Sequence, residues 1–162
     1  MEGDFFYEEQ FCLLVYTDGA VSNNGRKNAV GGVGVWFGDD EDERNVSERF
    51  LLNPITNQRA ELFAVVRALG ILLKTHPVTI PVTLHTDSVY VYNIVTRWIK
   101  KWSVNGWKTS SGQPVKNQHL IRVLDKQVKN VPFSLTFKHV YGHSGVHGNE
   151  RADALARAGK LL

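Results

Sequence analysis

The spacing of apolar side chains changes period along this chain, and each change marks an element. Residues 11–17 form a dense apolar run ending in Asp18-Gly19, which reads as a buried strand entering a turn. Residues 29–37, with Gly31, Gly32 and Gly34, read as a second strand where backbones approach closely. Residues 45–52 alternate as a third, and the acidic stretch 39–43 before them reads as a solvated hairpin loop. Three strands at such short spacing predict an antiparallel meander. From 57 to 73 the period becomes helical, with Leu62, Val65, Val66, Leu69, Leu72 and Leu73 on the apolar stripe and Thr56 or Asn57 as cap. Residues 82–86 are a short strand, and Asp87-Ser88 opens a short helix through 95. Residues 98–102 are helical, 103–114 a loop with an Asn105-Gly106 turn, 117–129 an amphipathic helix and 134–139 the last strand. A glycine-rich loop, 141–148, leads to a terminal helix over 149–158, with Asn149 as cap and Gly159 as stop. The order predicts an α/β fold in one domain over 1–162. Its mixed five-stranded sheet has three antiparallel strands and then two parallel-type strands, flanked by helices.

Composition changes this picture little, and charge changes it more. A hydrophobic fraction of 43% and a charged fraction of 22% are ordinary for a globular domain. No apolar run is long enough to span a membrane. Glu2, Asp4, Glu8 and Glu9 give the first ten residues the wrong charge for a secretory or mitochondrial leader. The single Cys12 reads as a buried strand thiol, so the default is an intracellular, reducing compartment such as cytoplasm or nucleus. The net charge of +3 hides an asymmetry: residues 1–50 carry eleven acids and four bases, residues 51–162 five acids and fifteen bases. A basic surface of that extent points to a polyanionic partner.

Three of the scarce acids of the basic part, Glu61, Asp87 and Asp153, are with Asp18 the candidates for chemistry. Asp18 and Asp87 both stand where a hydrophobic strand gives out, and neighbouring strands would set them side by side at one sheet edge. Glu61 and Asp153 stand in the first turns of helices able to pack over that edge. Each also has a plain structural use: a turn aspartate, a carboxylate at the positive end of a helix, a helix cap, and an i, i+4 partner for Arg157. Four carboxylates brought together repel one another unless a cation joins them. Oxygen ligands alone, with no cysteine, favour Mg²⁺ or Mn²⁺ over Zn²⁺. Two such ions about 3.5–4 Å apart would suit an in-line phosphoryl displacement.

These carboxylates lie in Tyr16-Thr17-Asp18-Gly19-Ala20, Thr56-Asn57-Gln58-Arg59-Ala60-Glu61-Leu62, His85-Thr86-Asp87-Ser88 and Gly142-His143-Ser144-Gly145 through Asn149-Glu150-Arg151-Ala152-Asp153. That ordered series, with Trp98-Ile99-Lys100-Lys101-Trp102 and Asn105-Gly106-Trp107-Lys108-Thr109, resembles the ribonuclease H family, type 1, over about residues 11–160. The resemblance implies an endonuclease that cuts the RNA strand of RNA/DNA hybrids to 5′-phosphate and 3′-hydroxyl ends. Asp18, Glu61, Asp87 and Asp153 would hold two Mg²⁺ ions, with Mn²⁺ as a substitute. The metals, rather than a side chain, would lower the attacking water's pKa. His143 looks like the family's mobile histidine that assists proton transfer or product departure, whereas His147 reads as surface.

The resemblance also implies how the strands are told apart. Asn24, Asn57 and Gln58 match positions that look like readers of the RNA 2′-hydroxyls, which a wide minor groove displays. Thr56 and Asn117 match a pocket for a DNA phosphate, and Tyr90 a channel position. Trp98 and Trp102, framed by Lys100, Lys101, Lys108 and Lys116, match the basic protrusion that grips the DNA strand. Some members carry an arginine two residues before the threonine, where this chain has Pro54. The intact protrusion and short N-terminus favour a stand-alone enzyme over a domain attached to a reverse transcriptase, with a fragment of a larger protein as the alternative. A monomer is expected, and no separate hybrid-binding module is visible in these residues. A catalytically silent nucleic-acid binder on the same fold would be expected to lack one of the carboxylates. A two-metal phosphatase for small molecules would not need the tryptophan–lysine segment.

Overall fold

The computed structural model describes residues 11–162; the acidic residues Glu2 to Glu9 lie outside that range. Five strands form one sheet: β1 (Leu13–Ser22), β2 (Val30–Trp36), β3 (Val46–Phe50), β4 (Val82–Thr86) and β5 (Leu135–His139), in the order β3-β2-β1-β4-β5. The β1–β2 and β2–β3 pairs are antiparallel, and the β1–β4 and β4–β5 pairs parallel, as the sequence predicts. The helices are α1 (Asn57–Thr75), α2 (Val89–Asn93), α3 (Ile99–Val104), α4 (Gln118–Asn130) and α5 (His147–Lys160). A π-helical turn, Ile94–Trp98, joins α2 to α3, so the two segments expected as separate pieces run on as one helical rod.

Alternation along the strands assigns the two faces of the sheet. Val15 and Val33 point toward α1, whose Leu62, Val65, Leu69 and Leu72 are fully buried against them. Truncating any of these leucines to alanine would cost about 2–5 kcal/mol through lost burial and the cavity left behind. On the opposite face Gly32 and Gly34 meet α5: a Cβ there would lie 2.1 Å from the Ala156 carbonyl oxygen and 2.3 Å from that of Ala152. The absent side chains let α5 lie flat on the sheet, which brings Asp153 toward the strand carrying Asp18. Thr56 caps α1, its hydroxyl accepting from the Arg59 N–H at 3.3 Å.

Several local expectations differ from the structure. β1 does not turn at Asp18-Gly19 but continues to Ser22, because β2 offers it a full antiparallel ladder in which Asp18 faces Gly34. α2 is capped by Ser88 rather than Asp87: the Ser88 hydroxyl accepts from the Val91 N–H at 3.1 Å. α5 starts at His147, two residues before Asn149, and includes Gly159. Asn149 is a buried residue inside the helix, not its cap, and Gly159 is a contact glycine rather than a stop. A Cβ on Gly159 would sit 2.4 Å from the Glu48 carbonyl oxygen. With these starts, Glu61 and Asp153 fall in the second turns of their helices, not the first.

Candidate active site

The site begins where the sheet forks. β1 and β4 run in parallel register up to the pair Thr17–Thr86, after which β4 ends while β1 goes on. The next residues, Asp18 and Asp87, are therefore set side by side at the point where the ladder opens. Gly19 lets α1 close over them, since a Cβ there would lie 2.7 Å from the Glu61 backbone nitrogen. As a result Asp18, Glu61 and Asp87 each present a carboxylate oxygen within 4.8 Å of the others.

Such a cluster is electrostatically costly. Asp18 is only 4% exposed. Burial first, and then the charge of Asp87, push its carboxyl up to about 8. Burial and the charges of Asp18 and Asp87 hold Glu61 well above the usual carboxylate range. Burial also raises Asp87, although a hydrogen bond from Asn149 opposes that rise. Glu61 as a whole residue is half-buried, but its Oε2 is sealed from water and lacks a hydrogen-bond partner among the described residues. An orphaned buried carboxylate oxygen facing two aspartates fits a hard divalent cation, which would satisfy all three at once.

The fourth carboxylate stands at the edge of this group. Asp153 is close enough for its charge to raise both Asp18 and Asp87, yet its Oδ2 pairs with Arg157 Nη2 at 2.9 Å, the plain i, i+4 contact expected of it. His143 lies in the exposed loop before α5 with φ of 58°, and its charge lowers Asp87. That loop sits tight against the site: a Cβ on Gly142 would be 3.1 Å from Asp87 Oδ2. His147 is exposed, edge-on to Trp36 at 5.4 Å. Asn149, which sequence reasoning treated as a cap, is the missed residue. Burial is the sign of its role, because a capping asparagine is normally wet.

The remaining candidates fall into two groups beside the acids. Asn24, Asn57 and Gln58 are exposed and adjacent, with Asn24 Oδ1 accepting from the Asn57 N–H at 2.8 Å. In the second group the Tyr90 hydroxyl accepts from Asn117 Nδ2 at 3.1 Å, and Asn117 Oδ1 accepts from Arg59 Nη1 at 3.3 Å. Asn117 has φ of 60° and spends its side chain on this network rather than on capping α4. Tyr90 meets Trp98 at 6.4 Å in a T-shaped contact, and Trp98 meets Trp102 at 5.6 Å. Both tryptophans are half-buried against the core while keeping an exposed side, so packing and display coexist. The π-helical turn between Tyr90 and Trp102 sets the phase of this aromatic row; such turns are frequent at functional sites.

Fold and site together define a class: an α/β domain that gathers buried carboxylates where two parallel strands part, beside an aromatic and basic arm. Residues 10–160 match the RNase H family, so the chain belongs to the ribonuclease H family. It is 46% identical over 145 residues to a Ribonuclease H of Rhodospirillum rubrum, a match covering 90% of this chain and 81% of that one. It is 41% identical over 155 residues to Ribonuclease H1 of Homo sapiens, covering 96% of this chain and 52% of the other. The chain spans about half the length of the mammalian relatives it matches. Among solved structures it is similar to LC9-RNase H1, a type 1 RNase H with the type 2 active-site motif. That likeness has a TM-score of 0.74 and 27% identity, over 93% of this chain and 72% of that one. No helix among the described residues is long and apolar enough to cross a membrane.

Proposed function

We propose that this chain is an endonuclease that hydrolyses the RNA strand of RNA/DNA hybrids, leaving 5′-phosphate and 3′-hydroxyl ends. The observation that carries the reading is the meeting of Asp18, Glu61 and Asp87 within 4.8 Å around an unpartnered, buried carboxylate oxygen. Asp18, Glu61, Asp87 and Asp153 hold two Mg²⁺ ions, which Mn²⁺ can replace. When bound, the ions lower the pKa of the attacking water and neutralise charge on the phosphate. The protein supplies placement. Asn149, whose buried amide lowers Asp87, would orient that carboxylate, as partners of metal ligands generally do. Asp153, paired with Arg157 at the edge of the cluster, would complete the ligand set. His143, on its exposed loop, hands a proton to the departing product.

Asn24, Asn57 and Gln58 face the RNA strand and read 2′-hydroxyls with their amides. Thr56, Tyr90, Trp98, Trp102 and Asn117 carry the DNA strand. Pro54 leaves the phosphate pocket without the arginine some members have, and Arg59 takes its place. Its guanidinium already bonds Asn117, and its buried Nε lacks a partner among the described residues. The chain acts as a monomeric catalytic domain, and its lone Cys12 suits a reducing compartment.

The test offers end-labelled RNA/DNA hybrid, double-stranded RNA, double-stranded DNA and single-stranded RNA to the enzyme with Mg²⁺. The hybrid alone should be cut, within its RNA strand. Equal cutting of double-stranded RNA would overturn the assignment.

A further inference from the structure

A concavity separate from the acidic site is lined by Trp107 and residues of α4. It is a groove of about 590 Å³ between the outer face of α4 and the end of α3 with the segment that follows it. Ser103 and Trp107 form one wall, and His119, Arg122, Lys126 and Lys129 the other. The four basic residues are spaced 3, 4 and 3 apart, which places them on one stripe of the helix, opposite the buried Leu120, Ile121 and Leu124. An amphipathic helix needs only some polar outer face. Here that face is basic at four exposed positions, with Asp125 the one acid in the groove. Asp125 is already held by Lys129 at 2.9 Å. His119, Arg122 and Lys126 have no ion-pair partner among the described residues.

Trp107 adds a second, independent observation. Its φ of 61° is a left-handed backbone that a bulky side chain rarely adopts. Three hydrogen bonds hold it there: its N–H donates to the Trp102 carbonyl oxygen at 3.0 Å, and its own carbonyl oxygen accepts from the Val115 N–H at 3.0 Å and Gln118 Nε2 at 3.1 Å. The result is an indole fixed against α4 with the Arg122 guanidinium 5.6 Å over its ring. An aromatic face and a planar cation, beside the unpaired Lys126, is the combination that suits a sugar–phosphate backbone better than a peptide carboxylate.

We propose that this groove is a second nucleic-acid contact, which binds the backbone of duplex DNA flanking the hybrid. The stripe from His119 to Lys129 extends about 15 Å along the helix, roughly four phosphates of one strand measured along a duplex axis. It starts two residues beyond Asn117, next along the chain from the residues assigned to the DNA strand. This inference rests on the hybrid-nuclease reading above, and it adds that substrate outside the cleaved stretch contributes to affinity.

The experiment compares two substrates by fluorescence anisotropy in Ca²⁺ over a salt series: a short hybrid, and the same hybrid extended by duplex DNA on both sides. The wild-type chain should bind the extended substrate about tenfold more tightly. The triple variant Arg122→Gln, Lys126→Gln, Lys129→Gln should lose that gain, and its salt dependence on the extended substrate should flatten by about 2 to 3 in log–log slope. Its binding and Mg²⁺-dependent cleavage of the short hybrid should be unchanged. The single Lys126→Glu variant, at an exposed position, should give part of the same loss and guards against misfolding of the triple variant. If the variants keep the full gain, the groove is not a DNA contact and the proposal falls, while cleavage of the short hybrid leaves the nuclease reading standing. If polyglutamate of matched charge displaces the flank as well as DNA does, the groove reads any polyanion and the proposal also falls. Failure of the wild-type chain to cut the short hybrid would instead strike the nuclease reading itself.

Discussion

The acidic fork and the aromatic–basic arm handle charge in opposite ways. At the fork, three carboxylates are packed within 4.8 Å, with Asp18 almost wholly buried, and Glu61 Oε2 has no hydrogen-bond partner among the described residues. On the arm, Trp98, Trp102 and Trp107 are only half-buried, and their lysine neighbours stand in water. Charges of the first kind raise the free energy of the empty fold and become favourable only with a cation bound. Charges of the second kind cost little when idle and act through many weak, screened contacts. Damage to the fork should therefore remove chemistry while sparing affinity, and damage to the arm should do the reverse.

The largest effect is expected from Asp18→Asn or Asp87→Asn, which should lower hybrid cleavage by on the order of 10²–10³-fold or more while hybrid binding in Ca²⁺ stays near wild type. Single-turnover cleavage and anisotropy measure the two quantities separately. Near-normal cleavage in either variant would mean that the site has been misassigned. Asn149→Ala removes the donor that orients Asp87, and a loss of about 10–100-fold in rate or metal affinity should follow. A Mg²⁺ titration of activity separates these, and an unaltered curve would reduce Asn149 to a packing residue. Trp102→Ala should weaken hybrid binding about tenfold, with the Mg²⁺ dependence of cleavage unchanged. A shifted metal requirement there would dissolve the contrast between the two regions.

The smallest effect is on stability and has a definite sign. In EDTA, the folded carboxyl of Asp18, at about 8, lies above its ordinary value of 3.8. The folded state therefore favours the protonated group. The stability this gives is fully present below about pH 4 and is lost as pH rises toward 8. Melting temperature in EDTA should fall across that window, and the slope should flatten in Asp18→Asn. An equal slope in the variant would show that the fork is not the source.

Much of this was legible in the sequence because it rests on periodicity. The buried leucines of α1, the short strand at Val82–Thr86 and the candidate carboxylates were all visible as patterns. Partnership was harder to see. Asp18 followed by glycine looks like a turn, and only β2's ladder carries the strand through it. Asn149 near a helix start resembles a cap, and only its burial against Asp87 reveals otherwise. Gly159 looks like a stop until the Glu48 backbone is seen lying against it. The groove beside α4 was invisible for the same reason, since Trp107 and Arg122 meet only through the fold.

On this reading the carboxylate fork is a metal centre for cutting RNA in hybrids. Its most direct test is cleavage of a 5′-labelled RNA/DNA hybrid by the wild-type chain in Mg²⁺, in Mn²⁺ and in EDTA, with the new ends identified chemically. Cleavage in either metal, none in EDTA, and products bearing 5′-phosphate and 3′-hydroxyl are expected. Cutting that persists in EDTA, or that leaves a cyclic or 3′-phosphate end, would contradict it.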